Sequence, residues 1–131
     1  MDLENLLVYN LAMALAEKIW NIVQKWNIFE RNIVGKQWVD AADSIGANIS
    51  ESYGRYFYKD SKLFLYYARG SLSESSTWLK KSYNRNLLSE EEFIQLSLET
   101  KDLWVRLNNY INSVGRKASQ NSESNSDKQK V

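Results

Sequence analysis

The chain has no cysteine, no histidine and no proline. Without cysteine there is neither a disulfide framework nor a thiolate metal site. Without histidine the usual general base and the commonest metal ligand are both missing, which removes most hydrolase and zinc chemistry. Turns in β-rich and loop-rich folds recruit proline, so its absence over 131 residues favours long helices with short joins. Glycine is also scarce: of five, three (Gly46, Gly54, Gly70) fall between Ser44 and Glu74. No apolar run approaches the roughly 20 residues of a membrane span. The opening Met-Asp-Leu-Glu is acidic, unlike a basic leader, so a cytoplasmic protein is expected. Charge of either sign is nearly balanced, with 17 basic and 16 acidic residues. Arg116, Lys117, Lys128 and Lys130 outnumber Glu123 and Asp127 after Gly115. Removing that +2 from the total of +1 leaves −1 for the rest, so the folded part carries no general phosphate-binding surface.

What is present is ordinary for a globular domain: 44% apolar and 25% charged residues in 15.3 kDa, the size of one core. From Leu6 to Trp26, apolar residues recur at Leu11, Leu15, Ile19, Ile22 and Trp26, the three-and-four spacing of a helix. Asn27 to Asn32 reads as a join. A second helix carries Trp38, Ala41, Ile45 and Ile49, and its small residues, Gly46 among them, invite close approach by a neighbour. Gly54 is the expected stop, in the left-handed conformation that glycine adopts at least cost. A third helix is expected from Lys62 to Asn84, capped by Asp60 or Ser61. Its middle (Gly70, Ser71, Ser73, Ser75, Ser76) suits helix contact better than a hydrophobic stripe.

The fourth helix has the clearest start. Ser89 and Glu92 have capping-box spacing, and Leu88 with Phe93 that of a hydrophobic staple. Gly115 is the expected end. Residues 116–131 have no apolar period and are expected to form a disordered polar tail. The pattern is therefore all-α: an antiparallel up-down-up-down four-helix bundle over residues 1–115.

Chemistry-bearing constellations are few. Asp40, Asp43, Glu51 and Glu74 suggest a carboxylate metal site, but bundle sites of that kind add histidines that are absent here. No glycine-rich phosphate loop occurs, and Ser44, Ser71 and Ser73 have no histidine partner. A non-enzymatic protein without cofactor, metal or small-molecule substrate is expected. Arg55 and Arg69, with Lys59 and Lys62, lie among Tyr53, Tyr56, Tyr66 and Tyr67. Such a mixture can stack nucleobases and hold phosphate. The preferred alternative is structural, with Arg55 and Arg69 paired to Glu51 or Glu74 and their stems covered by aromatic rings.

Across Gln37–Arg55 and Phe64–Glu74 the chain resembles a bacterial four-helix-bundle family that includes proteins encoded in intervening sequences of large-subunit ribosomal RNA genes. Accessory proteins of diversity-generating retroelements are relatives. The resemblance is carried by Glu30, Gln37, Ala41, Ala42, Ser44, Ile45, Asn48, Ile49, Glu51, Gly54 and Arg55. It continues through Phe64, Leu65, Ala68, Arg69, Gly70, Ser71 and Glu74, in the family's order. It implies a four-helix bundle assembling with copies of itself as a ring, commonly a homopentamer. For the retroelement relatives it implies contact with a reverse transcriptase and nucleic acid. The chain departs from the pattern where Val39 and Asp40 replace an arginine pair, where Trp26-Asn27 replaces Phe-Pro, and at Ser52. Nucleic-acid affinity is therefore expected to be weak and carried mainly by the tail.

Overall fold

Ser89 and Glu92 do close a capping box. The Ser89 backbone N–H donates to Glu92 Oε1 at 2.9 Å, and the Glu92 N–H donates to Ser89 Oγ at 3.1 Å. This comes from a computed structural model that describes residues 2–129, and the side chains of residues 2–119. After a 3₁₀ turn at Leu3–Asn5 the elements are α1 (Leu7–Val23), a short α2 (Ile28–Glu30), a π turn (Arg31–Gly35), α3 (Lys36–Tyr53), α4 (Tyr58–Asn84) and α5 (Glu90–Gln129). There is no strand among the described residues.

Four of these helices are long, and they pack in a circuit, α1 against α3, α3 against α4, α4 against α5 and α5 against α1. Their directions follow from the pairs that meet. Ser52, late in α3, shares a 2.8 Å hydrogen bond with Ser61, early in α4, while the Trp38 indole N–H, early in α3, donates to Ser75 Oγ, late in α4, at 3.2 Å. Trp26 stacks on Trp38 at 6.0 Å, whereas Met13 lies against Gly46. Tyr83 stacks on Phe93 at 4.1 Å, and Arg69 bonds Asn108. Neighbouring helices are thus antiparallel, as the periodicity predicts. The core between them is aliphatic around one indole: Ile19 of α1, Trp38, Ile45 and Ile49 of α3, Leu65 and Leu72 of α4, and Leu103 and Leu107 of α5 are at most 1% exposed.

Two glycines explain how closely α1 and α3 approach. A Cβ on Gly46 would sit 2.9 Å from Met13 Sδ, and one on Gly35 only 2.5 Å from Val23 Cγ1. At Gly46 the roughly 1 kcal/mol that glycine costs a helix is therefore the cost of close packing. Gly35 ends the π turn, a one-residue widening of the helix.

Several boundaries differ from expectation. The join before α3 is shorter, since helix resumes at Ile28. α4 begins at Tyr58, with Phe57 in the cap position, so neither Asp60 nor Ser61 caps it. Gly54 follows α3 with φ −82°, not left-handed. The left-handed residue is Asn86, at φ 62° after α4, where the N–H groups of Asn86 and Leu87 reach the carbonyls of Tyr83 and Ser82. This is a Schellman closure with asparagine in place of glycine. Gly115 is not a stop, because α5 runs through it. One glycine costs a helix about 1 kcal/mol and cannot end it without a left-handed turn. The backbone of residues 116–129 continues α5, and residues 130 and 131 lie outside the described residues. Disorder of that polar stretch stays an expectation for solution measurement.

Candidate functional site

The α3–α4 join and the stretch of α5 around Gly115 lie at the same end of the bundle, and together they hold Arg55, Lys59 and Lys62 of the residues singled out by sequence. Arg55 Nη2 donates to Glu51 Oε2 at 3.1 Å, one helical turn away, and its guanidinium lies 4.6 Å from the centre of the Phe64 ring. Both members of that pair are exposed. Arg69 does not pair with Glu74. Its Nη1 donates to Asn108 Oδ1 at 3.0 Å, and its guanidinium covers Tyr66 at 5.0 Å. The correction is geometric: Arg69 faces α5, while Glu74 is exposed further along α4.

Lys62 also lies over the Tyr66 ring, its Nζ 5.5 Å from the centroid. The Tyr66 hydroxyl, and then the negative charge that Tyr66 and Tyr58 would carry if ionised, hold its ammonium above the ordinary lysine value. Lys59 is exposed on the first turn of α4. Between α4 and α5 opens a cleft of about 620 Å³, lined by Tyr58, Lys62, Tyr66, Asn112, Arg116 and Ser119 among others, with no carboxylate in its wall among the described residues. Gly115 has a role here that spacing did not suggest: a Cβ on it would come within 3.2 Å of the Tyr58 hydroxyl. The cleft can accept an anion between Lys62 and Arg116 and offer phenol rings to a planar group.

The remaining motif residues do not converge on this site. Ser44 Oγ donates to the Asp40 carbonyl at 2.8 Å, and Asn48 Nδ2 to the Ser44 carbonyl at 2.9 Å, so both are satisfied within α3. Gly70 has nothing within 4 Å of where a Cβ would be, and Ser71 is half-buried. Among the described residues no group of three potential metal ligands gathers. Asp43 is held above the usual carboxylate range by partial burial first, then by Glu17 and Asp40.

The model of the 23S rRNA-intervening sequence protein family matches residues 4–109. The chain belongs to this family. A crystal structure of a protein of unknown function from the S23 ribosomal protein family of Bacteroides thetaiotaomicron is similar to it, with a TM-score of 0.71 and 22% identity. That match covers 79% of this chain and 97% of the other, and it shows the shared fold. No curated protein matches the chain. The cleft wall from Asn112 onward lies past the matched residues. Sequence reasoning missed Asn108 as the partner of Arg69 and Asn112 in the cleft wall, and assigned Arg116 to a tail. Gly115 was read as a helix stop, whereas its lack of a Cβ makes room for the Tyr58 hydroxyl.

Proposed function

We propose that the protein is a non-enzymatic, cytoplasmic structural component that assembles with copies of itself into a ring, a homopentamer as the family resemblance implies. The observation that carries this reading is the amount of apolar surface left open. Ile28, Phe29, Tyr56, Phe57 and Leu98 are each 65% exposed or more, the first four as two adjacent pairs. Large apolar side chains gathered on a small domain's surface mark interaction sites. No helix among the described residues is long and apolar enough to cross a membrane, so a lipid bilayer spanned by helices is not what covers them. Sedimentation equilibrium of the full chain at micromolar concentration tests the proposal. A closed assembly of uniform mass is expected, and a species of only 15.3 kDa overturns it.

A second reading, contact with nucleic acid, is favoured by the cleft that holds Lys62 and Arg116 beside Tyr58 and Tyr66. Affinity is expected to be weak, since residues 1–115 total −1 once the tail's +2 is taken from the chain's +1. Full-length protein and a chain ending at Gly115 are titrated with single-stranded and structured RNA at two salt concentrations. Loss of the weak binding on shortening is the expected result. Tight, salt-sensitive binding by the shortened chain assigns the contact to Arg55, Lys59, Lys62 and Arg69.

A further inference from the structure

Two outward helix seams on opposite sides of the bundle match each other in spacing, apolarity and charge. On α1, Met13 and Trp20 are 43% and 45% exposed with Glu17 exposed between them. On α5, Leu98 and Val105 are 65% and 50% exposed with Lys101 exposed between them. Read forward, the α1 seam steps by four and then three residues. Read backward, from Val105 through Lys101 to Leu98, the α5 seam takes the same steps. Steps of three and four keep side chains on one helix face, as in a coiled-coil seam. Laid antiparallel, Met13 meets Val105, Glu17 meets Lys101 and Trp20 meets Leu98.

The two seams cannot pair within one chain. Glu17 and Met13 line a groove of about 320 Å³ shared with α3, whereas Lys101 lines one of about 480 Å³ shared with α4. In the circuit of packed helices, the α1–α3 side and the α4–α5 side are opposite. The grooves also differ in charge. Asp43 joins Glu17 in the first, and Lys80 joins Lys101 in the second.

We propose that the Met13–Glu17–Trp20 seam of α1 docks on the Leu98–Lys101–Val105 seam of α5 in a second copy of this chain. This rests on the assembly reading above and names its interface. The contact is heterologous, one face meeting a different face, and such contacts close into rings when the rotation between copies allows it. The direction fits closure: rotation about an axis along the bundle leaves every α1 antiparallel to every α5, as the matched spacing requires. Opposite charges in the seam middle fix the register, and like charges there would exclude the wrong pairing.

Charge reversal on the full chain tests it, with mass read by sedimentation equilibrium and folding by circular dichroism. Lys101→Glu and Glu17→Lys are each expected to dissociate the assembly to folded monomer, and the double variant to restore it. Because the native chain has no cysteine, a Glu17→Cys, Lys101→Cys variant gives a clean second readout. Mild oxidation should link copies into a ladder of multimers. A parent chain that is monomeric overturns both the assembly reading and this interface. A parent that assembles, with variants that stay assembled or fail to restore and no disulfide ladder between copies, overturns the interface alone.

Discussion

The two ends of the bundle are finished in different ways. Where α1 leads to α3 and α4 leads to α5, rings and caps close the end. Trp26 stacks on Trp38, Tyr83 stacks on Phe93, Asn86 turns the chain left-handed, and Ser89 shares a capping box with Glu92. At the other end, where α3 leads to α4, no side chain caps the start of α4 and Tyr56 is 92% exposed. The cations Arg55 and Lys62 lie over aromatic rings there instead of entering buried pairs. The first end spends most of its aromatic residues on stability, with Phe29 left 70% exposed, and the other keeps Tyr56 and Phe57 available for contact. Substitutions should therefore cost much at the first end and little at the second.

The largest effect is expected at Trp38, which is fully buried and hydrogen-bonded to Ser75. Trp38→Ala should lower unfolding free energy by about 3–5 kcal/mol in denaturant titration. Trp38→Phe keeps most of the ring but leaves the Ser75 hydroxyl without its donor, and should cost less. Gly35→Ala comes next. Alanine improves helix propensity by about 1 kcal/mol, but its Cβ meets Val23 Cγ1 at 2.5 Å. Valine is stiff about χ1 and cannot swing aside cheaply. Overpacking costs about 1–3 kcal/mol, so net destabilisation is expected, and an unchanged or raised melting temperature would show that α1 and α3 can separate there. Ser89→Ala removes the box and should cost about 1 kcal/mol, read in the same titration.

How much of this was legible follows from the range of each interaction. The Ser89 cap is local in sequence, so spacing alone located it. The helices followed from apolar period, because a core-facing stripe must repeat with the helix. The register of that stripe was less certain: α1 buries Val8, Ala12, Leu15, Ala16, Ile19 and Val23, whereas Leu11, Ile22 and Trp26 are only partly buried. Alanines were the unread signal, being small enough to sit at the closest approach. The Asn86 closure was missed because asparagine in the left-handed region looks like any polar join residue. The Arg69–Asn108 bond crosses between α4 and α5, and nothing local in either segment announces it. The cleft was illegible for the same reason, since Lys62 and Arg116 meet only after the helices have packed.

The smallest effect is expected at the open end, with Glu51→Ala. From sequence, a buried Arg55–Glu51 pair would lose roughly 3–5 kcal/mol when one member is removed, because the other charge is left without solvent. In the structure the side chains are 44% and 57% exposed, so water and salt screen the pair and solvate whichever charge remains. Exposed pairs one turn apart on a helix contribute about 0.3–0.5 kcal/mol. The Arg55 guanidinium also keeps its place over Phe64 without Glu51, since the cation–ring contact does not involve the carboxylate. A shift below about 0.5 kcal/mol is therefore expected, shrinking further as salt rises, with the Trp38→Ala loss unchanged over the same salt range. A salt-insensitive loss of several kcal/mol at Glu51 would show the join buried in the protein as it exists in solution, and would place an assembly contact at this end as well.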